Sequence, residues 1–356
     1  MLLDVFGGLG DKNTHRGFNR ATQAIRQTGS ASKPLAVLLP ALDQKAITSI
    51  TILDDTLTTF NDGTEEGYSP INYNNYLGNI TVRRAVESSQ NIPFVRIMEV
   101  ITPATSLSYL KEMGITTLTD VDNNINLSLG GLDKGISPLE MAGAYTTISN
   151  DGKYIEPTFY TKIENKDNKT VLKTKQESKQ VISNQISYIL KNLLTQPVTG
   201  KNGTATYCAI ENIDVAAKTG TTNENFDRWL CGFTNYYTAV TWYGFDLSET
   251  IEFNNQNPAG LIWAAVMKNI HSNLKSSKFE KANGILELEI CTDSNKPATL
   301  NCKNTYLEYF IKDTIPDLCD KHPGDAKEIT EIKNSSKNAI SKFIEEKTSE
   351  IIKSFN

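Results

Sequence analysis

The sequence is poor in the residues that build metal and histidine chemistry. It has three histidines, His15, His271 and His322, too few and too scattered for a histidine-based triad or metal cluster. Its five cysteines, at 208, 231, 291, 302 and 319, form no Cys-x-x-Cys pair, so no zinc site is expected, and an odd count establishes no disulfide framework. No stretch approaches the roughly 18 uninterrupted apolar residues of a membrane span. The opening Met1-Leu2-Leu3-Asp4-Val5-Phe6 is too short and too acidic for a signal peptide, and reads instead as a strand already under way. Positive charge is not in excess: the net charge of −5 excludes a general attraction to nucleic acid. What is present is ordinary globular material. Its 39% apolar and 22% charged residues over 356 positions suffice for one large core or two modest ones.

One stretch stands out, Gly29-Ser30-Ala31-Ser32-Lys33-Pro34. Ser30 and Lys33 are three apart and share a face of a helix. A serine hydroxyl needs a base to take its proton, and a lysine one turn away serves if its own proton has been driven off. Gly29 breaks the preceding segment, and Pro34 is tolerated only near a helix start. Leu35, Val37, Leu38, Leu39 and Leu42 predict a buried helix to about Leu42, with its positive end at Ser30. The spacing alone is weak, since Ser108–Lys111 and Ser272–Lys275 share it. Two further motifs decide the matter. Ser89-Gln90-Asn91 falls on a turn between a helix carrying Val82, Ala85 and Val86 and a second helix starting at Pro93. Lys218-Thr219-Gly220, with Thr221, follows a strand at Ile213–Ala217; here the glycine admits a substrate backbone to the strand edge, and the lysine supplies a fixed charge.

Further elements are legible around these motifs. Residues 51–80, rich in Asp, Asn, Gly and Tyr, predict irregular connections. Ser137-Pro138-Leu139-Glu140 is a capping box opening a helix to Ile148. Residues 154–175 look like an exposed hairpin, and Gln185–Leu194 is an amphipathic helix. Trp229–Thr234 and Thr238–Phe245 are strands whose short joins imply antiparallel pairing. An apolar helix over 258–272 covers that sheet. Helices with an antiparallel sheet give an α+β fold. The charged stretch from Pro323 keeps helical spacing at Ile340, Phe343, Ile344, Ile351 and Phe355, and predicts a solvated helix or tail.

Ser-x-x-Lys, Ser-x-Asn and Lys-Thr-Gly, in that order, are the motif set of penicillin-binding proteins and class A β-lactamases. Longer stretches resemble the transpeptidase domain of class A (bifunctional) penicillin-binding proteins: Asn19–Gln23, Arg26–Ser30, Tyr68–Tyr73, Ser89–Pro93, Leu129–Tyr145, Lys218–Thr222 and Asp227–Asp246. Cys291–Ser294 through Cys302, and Glu308–Lys312, resemble the region C-terminal to that domain in class A proteins. The resemblance covers roughly residues 1–320. It implies a transpeptidase domain over 1–285, a C-terminal extension over 286–322, and a tail over 323–356. The implied fold is an antiparallel sheet flanked by helices with a mostly helical subdomain, as in serine β-lactamases.

The resemblance also implies the chemistry. Ser30 attacks the penultimate D-alanine carbonyl of a peptidoglycan stem peptide, and Lys33 is the base. The N–H groups of Ser30 and Thr221 form the oxyanion hole, while Ser89 and Lys218 relay a proton to the leaving D-alanine. Asn91 holds the substrate amide; Thr219, Gly220 and Thr221 bind near the terminal carboxylate. No cofactor or metal is required, β-lactams acylate Ser30, and the parent protein works on the extracytoplasmic membrane face with other cell-wall synthesis and division proteins. Departures are Thr28 in place of a common proline, no glycosyltransferase domain or membrane anchor, and no strand before residue 2 to pair with Leu2–Phe6. Cys291 and Cys302 either close a short loop as a disulfide or stay free. Two rival readings are a serine β-lactamase, for which Glu164–Asn168 has a loosely similar spacing, and a non-catalytic cell-wall-binding remnant.

Overall fold

The apolar run after Lys33 is the spine of the fold: every residue from Pro34 to Leu42 is buried. The computed structural model describes residues 3–8, 15–252 and 256–326. They divide into two compact units, one ending at Asn283 and one beginning at Gly284.

In the first unit, α1 (Arg20–Gln23) is capped by the Asn19 side chain. The nucleophile run is one helical stretch of three pitches: a 3₁₀ turn Gly29–Ser32, a π turn Pro34–Leu38, and α2 (Leu39–Asp43). Residues 51–80 are not wholly irregular, because β1 (Ile52–Asp55) and β2 (Gly78–Thr81) pair antiparallel with Ile52 opposite Thr81. Helix α3 (Val82–Ser88) starts where the Thr81 hydroxyl accepts from the Arg84 N–H. It ends at Ser89, and α4 (Ile92–Ile101) begins with Pro93 in its first turn. Helix α5 (Pro103–Glu112), capped by Thr102, was not anticipated. Helix α6 (Pro138–Ser149) carries the expected capping box: Ser137 accepts from the Glu140 N–H, and Glu140 accepts from the Ser137 N–H at 3.2 Å.

β3 (Lys153–Ile155) pairs with β6 (Ser178–Gln180), and β4 (Lys162–Glu164) with β5 (Thr170–Lys173), as exposed hairpins. Helix α7 (Asn184–Thr199) leads to the principal sheet, β7 (Ala216–Thr221), β8 (Asp227–Phe233) and β9 (Thr238–Gly244), antiparallel in that order. Alternation along the strands sorts its two faces. Ala217 and Leu230 meet Trp263 and Met267 of α8 (Pro258–His271), which covers one face as expected. Lys218 and its cross-strand partner Cys231 point the other way, where the thiol of Cys231 meets the hydroxyl of Tyr145 on α6.

The expectation of a strand at Leu2–Phe6 fails within the described residues. Residues 3–8 belong to no sheet, and Leu3 and Phe6 are exposed. Arg20 holds Gly7 without a ladder, its N–H donating to Gly7 O at 3.2 Å and its Nη1 to the same oxygen at 3.4 Å. The second unit pairs β10 (Ile285–Cys291) with β11 (Thr305–Ile311) antiparallel, Cys291 opposite Thr305. The expected tail helix beyond Ala326 lies outside the described residues. Among the described residues no helix is long and apolar enough to cross a membrane.

Candidate active site

Ser30 sits in the 3₁₀ turn, half-buried, at the point where that turn touches β7. Gly29 has φ +50, and a Cβ there would lie 2.4 Å from Thr221 O. A Cβ on Gly220 would lie 2.5 Å from Thr28 O and 2.9 Å from the Ala31 methyl. The sequence reading assigned the smallness of Gly220 to an approaching substrate; the structure assigns it to the chain's own nucleophile turn. That turn is pinned from outside. Tyr145 Oη donates to Ala31 O at 2.6 Å, and Trp229 Nε1 donates to Gln27 O at 2.7 Å. Arg26 and Ile136 exchange backbone hydrogen bonds of 3.2 and 2.9 Å.

Two lysines converge on Ser89. Lys33 Nζ donates to Ser89 O at 2.9 Å, to Gln90 O at 3.0 Å and to Asn91 Oδ1 at 2.7 Å. Lys218 Nζ donates to the Ser89 hydroxyl at 2.6 Å and to Thr219 O at 3.0 Å. Ser89 therefore bridges the two ammonium groups, one through its carbonyl and one through its side chain. It adopts φ +58, a left-handed conformation that closes α3 and that a non-glycine residue adopts at some cost. Both lysine side chains are fully buried, and neither is hydrogen-bonded to a carboxylate. Burial holds the Lys33 pKa well below that of a free lysine; the charge of Lys218 adds to this, and that of Asp55 opposes it. Burial pulls Lys218 down to about 7.

Sequence reasoning missed the buttress behind Lys33. Asp55, fully buried at the end of β1, accepts from Asn72 Nδ2 at 2.7 Å, Gln90 Nε2 at 2.8 Å and the Leu77 N–H at 2.9 Å. Asn72 Oδ1 in turn accepts from the Asn91 N–H at 2.7 Å. A hydrogen-bonded chain thus runs from Asp55 through Asn72 and Asn91 to Lys33. The Asn91 amide is occupied at both ends, since its Nδ2 donates to Ile71 O at 2.6 Å. It braces the Ser89 turn, and a substrate amide has to compete with those contacts.

At the other side of β7, the Thr219 hydroxyl donates to Thr204 at 3.0 Å, and Thr221 accepts from Arg228 Nη1 at 3.1 Å. Arg228 is a further residue the sequence reading missed; Thr221 and Arg228 are direct partners across the β7–β8 register. Its Nε and the nearby Tyr207 hydroxyl are buried without a partner, which leaves donor capacity beside the two threonines. A carboxylate is the chemical group that satisfies such donors.

All five cysteines are free thiols. The second unit nevertheless departs from the expectation drawn from absent Cys-x-x-Cys pairs: Cys291, Cys302, Cys319 and His322 bring their ligand atoms within 4.8 Å of one another. The only short-range signal was the mixed pair Cys319-Asp320-Lys321-His322.

Residues 10–243 match the family described as penicillin binding protein transpeptidase domain, and residues 281–324 match that described as penicillin-binding protein 1A, C-terminal domain. Penicillin-binding protein 1A of Clostridium tetani is 35% identical over 90% of this chain and 43% of its own length. Penicillin-binding protein 1F of Bacillus subtilis is 36% identical over 82% of the chain and 40% of its own. The chain thus spans less than half the length of these relatives. Among solved structures, penicillin-binding protein 1A from Haemophilus influenzae superposes with a TM-score of 0.75 at 24% identity, covering 84% of this chain and 50% of that one. Penicillin-binding protein A from M. tuberculosis, solved as an imipenem acyl-enzyme complex, gives 0.60 at 19% identity, covering 72% and 62%. These neighbours show the expected α+β fold.

Proposed function

This chain belongs to the penicillin-binding protein transpeptidase family, and on that premise we propose that it is a serine D,D-transpeptidase that cross-links peptidoglycan stem peptides and is acylated by β-lactams at Ser30. The observation that carries this reading is the pair of buried lysines joined through Ser89, with Lys33 one turn along the chain from Ser30. A neutral Lys33 amine carries a lone pair that can take the Ser30 proton once Nζ turns from one of its three acceptors toward the hydroxyl. The Ser30 oxygen bonds the penultimate D-alanine carbonyl carbon, and the negative charge on the carbonyl oxygen is met by the N–H groups of Ser30 and Thr221. The C–N bond then breaks. The departing D-alanine nitrogen receives a proton through Ser89 from Lys218, which the short Lys218–Ser89 contact supports. An amine from a second stem attacks the ester, gives up a proton and restores the Ser30 hydroxyl. Thr219, Thr221 and Arg228 bind the terminal carboxylate that a β-lactam imitates. In this reading the chain acts outside the cytoplasmic membrane as part of a longer protein.

A β-lactamase reading gains no support, because Glu164 lies exposed on β4 and pairs with Lys162 at 2.7 Å. The deciding experiment is labelling with a fluorescent penicillin. The adduct is expected to survive denaturation, to map to Ser30 by peptide mass, and to vanish in Ser30→Ala while persisting in Ser108→Ala and Ser272→Ala. An adduct retained in Ser30→Ala overturns the assignment.

A further inference from the structure

Among the described residues of the second unit, the aliphatic side chains buried outside the hairpin are those of Ala298 and Ala326. The buried cluster there is Cys291, Ala298, Cys302 and Cys319. Small units rarely hold together on so thin a core without disulfides, a metal or oligomerisation. The geometry of the thiols indicates which of these applies. His322 Nδ1 lies 3.4 Å from Cys291 Sγ, 3.8 Å from Cys302 Sγ and 3.6 Å from Cys319 Sγ. A tetrahedral zinc ion, with bonds of about 2.3 Å to sulfur and about 2.0 Å to nitrogen, sets its N···S edges at about 3.6 Å. The three distances straddle that value.

The surroundings suit thiolates. Each sulfur faces at least one main-chain N–H: those of Asp293 and Ser294 at Cys291, of Thr299 at Cys302 (3.3 Å), and of His322 at Cys319. Cys291 also opens a tight turn in which its carbonyl accepts from the Asn295 N–H and its own N–H donates to Lys296 O, both at 2.9 Å. The Cys319 N–H donates to Pro297 O at 2.8 Å, which ties the third ligand to that same turn. His322 Nε2 lies 3.5 Å from the Asp293 carboxylate. A carboxylate on the far ring nitrogen keeps the proton there and leaves a lone pair on Nδ1, the arrangement that orients metal-binding histidines.

We propose that Cys291, Cys302, Cys319 and His322 hold one zinc ion in a closed tetrahedral site that staples the second unit. On binding, the three thiols release their protons to solvent and Nδ1 donates its lone pair. Three thiolates around a dication leave one net negative charge, which the N–H groups facing the sulfurs offset. With four protein ligands the site has no open position and is structural. The competing use of these residues, a Cys291–Cys302 disulfide, needs an oxidant and leaves Cys319 and His322 facing each other without a role.

The test is metal content of the full chain, purified under reducing conditions with zinc supplied and analysed by elemental mass spectrometry. One zinc per chain is expected in the wild type, in Ser30→Ala and in Cys208→Ser, and a loss in Cys319→Ser and His322→Ala. His322→Cys, which offers four thiolates, should regain the metal, so a loss caused only by misfolding is distinguishable. Cobalt(II) in place of zinc should give the intense visible bands of a tetrahedral thiolate complex. Wild-type protein that binds neither metal with its thiols reduced, or that contains a Cys291–Cys302 disulfide once free thiols have been blocked on isolation, overturns the proposal. Because Ser30→Ala is included, failure of the penicillin reading leaves this measurement intact.

Discussion

The two units each gather ionisable groups into a buried spot, and they do it in opposite ways. In the first, Lys33 and Lys218 enter a large preformed core, and the surrounding carbonyls and burial dictate their protonation. In the second, three thiols share a buried cluster with Ala298, and on our zinc proposal the ion they hold would tie the unit together. The lesson is one of dependence. A buried charge that rests on a scaffold can be altered while the scaffold survives. A buried cluster that is the scaffold cannot.

The sharpest break of that contrast is at Lys33. Lys33→Arg keeps the charge and removes a usable base, because arginine does not deprotonate in proteins. Penicillin acylation should fall by about 10²–10⁴-fold, the usual range for general base catalysis, while stopped-flow labelling of His322→Ala remains at the wild-type rate. A chain with Lys33→Arg that acylates normally would remove the base from the mechanism.

Lys218→Met tests whether the scaffold is indifferent to its charge. Acylation should drop, yet the melting temperature at pH 7 should be unchanged or higher, since an apolar residue of similar volume avoids desolvating an ammonium. The pH dependence has a definite sign. Lys218 titrates at about 7 when folded against 10.5 when free, so between those values the unfolded chain holds a proton that the folded chain has released. Wild-type stability should therefore rise with pH across that window, by up to about 1.4 kcal/mol per pH unit. Below about 7 both states carry the proton and this slope vanishes. Denaturant titrations at several pH values should show a shallower rise for Lys218→Met, and the difference between the two slopes is the contribution of Lys218.

The smallest effect belongs to Asp55→Asn. The substitution turns one acceptor into a donor facing Asn72, Gln90 or Leu77, and should cost about 1–3 kcal/mol in a urea titration. It should slow acylation less than Lys33→Arg does, since it leaves the base in place and acts on it through the Asn72–Asn91 chain, Gln90 and the lost charge. Unchanged acylation with lowered stability would make Asp55 a fold residue alone.

Legibility followed chain contiguity. Ser30–Lys33, Ser89–Asn91 and Lys218–Thr221 are each short and contiguous, and their combination in that order exposed them where one spacing alone would not. The strand boundary was misplaced, because Lys218–Thr221 lie within β7 and not beyond it. β1 and β2 escaped notice because both are four residues long and separated by a segment rich in Asp, Asn and Gly. Leu2–Phe6 misled for the opposite reason: its residues favour a strand, but residues 3–8 join no strand ladder among the described residues, and β-propensity without a ladder gives no sheet. Asp55 and Arg228 carry no local pattern at all. The thiol cluster was hidden by distance and by mixed type, its members drawn from positions 291, 302, 319 and 322.

The π turn at Pro34–Leu38 has a consequence for how the gene can change. Its closing bond, from the Leu39 N–H to Pro34 O, spans five residues, so the helix carries one residue more than a regular α-helix would. Deleting a codon there would relax the turn to ordinary pitch and leave the buried apolar face downstream intact. Because a wide turn of five residues and a regular turn of about four each complete roughly one revolution, Ser30 and Lys33 would keep their facing around the axis. Pro34–Leu38 is therefore the stretch of this buried helix where the loss of one residue should disturb the flanking segments least, the nucleophile turn included.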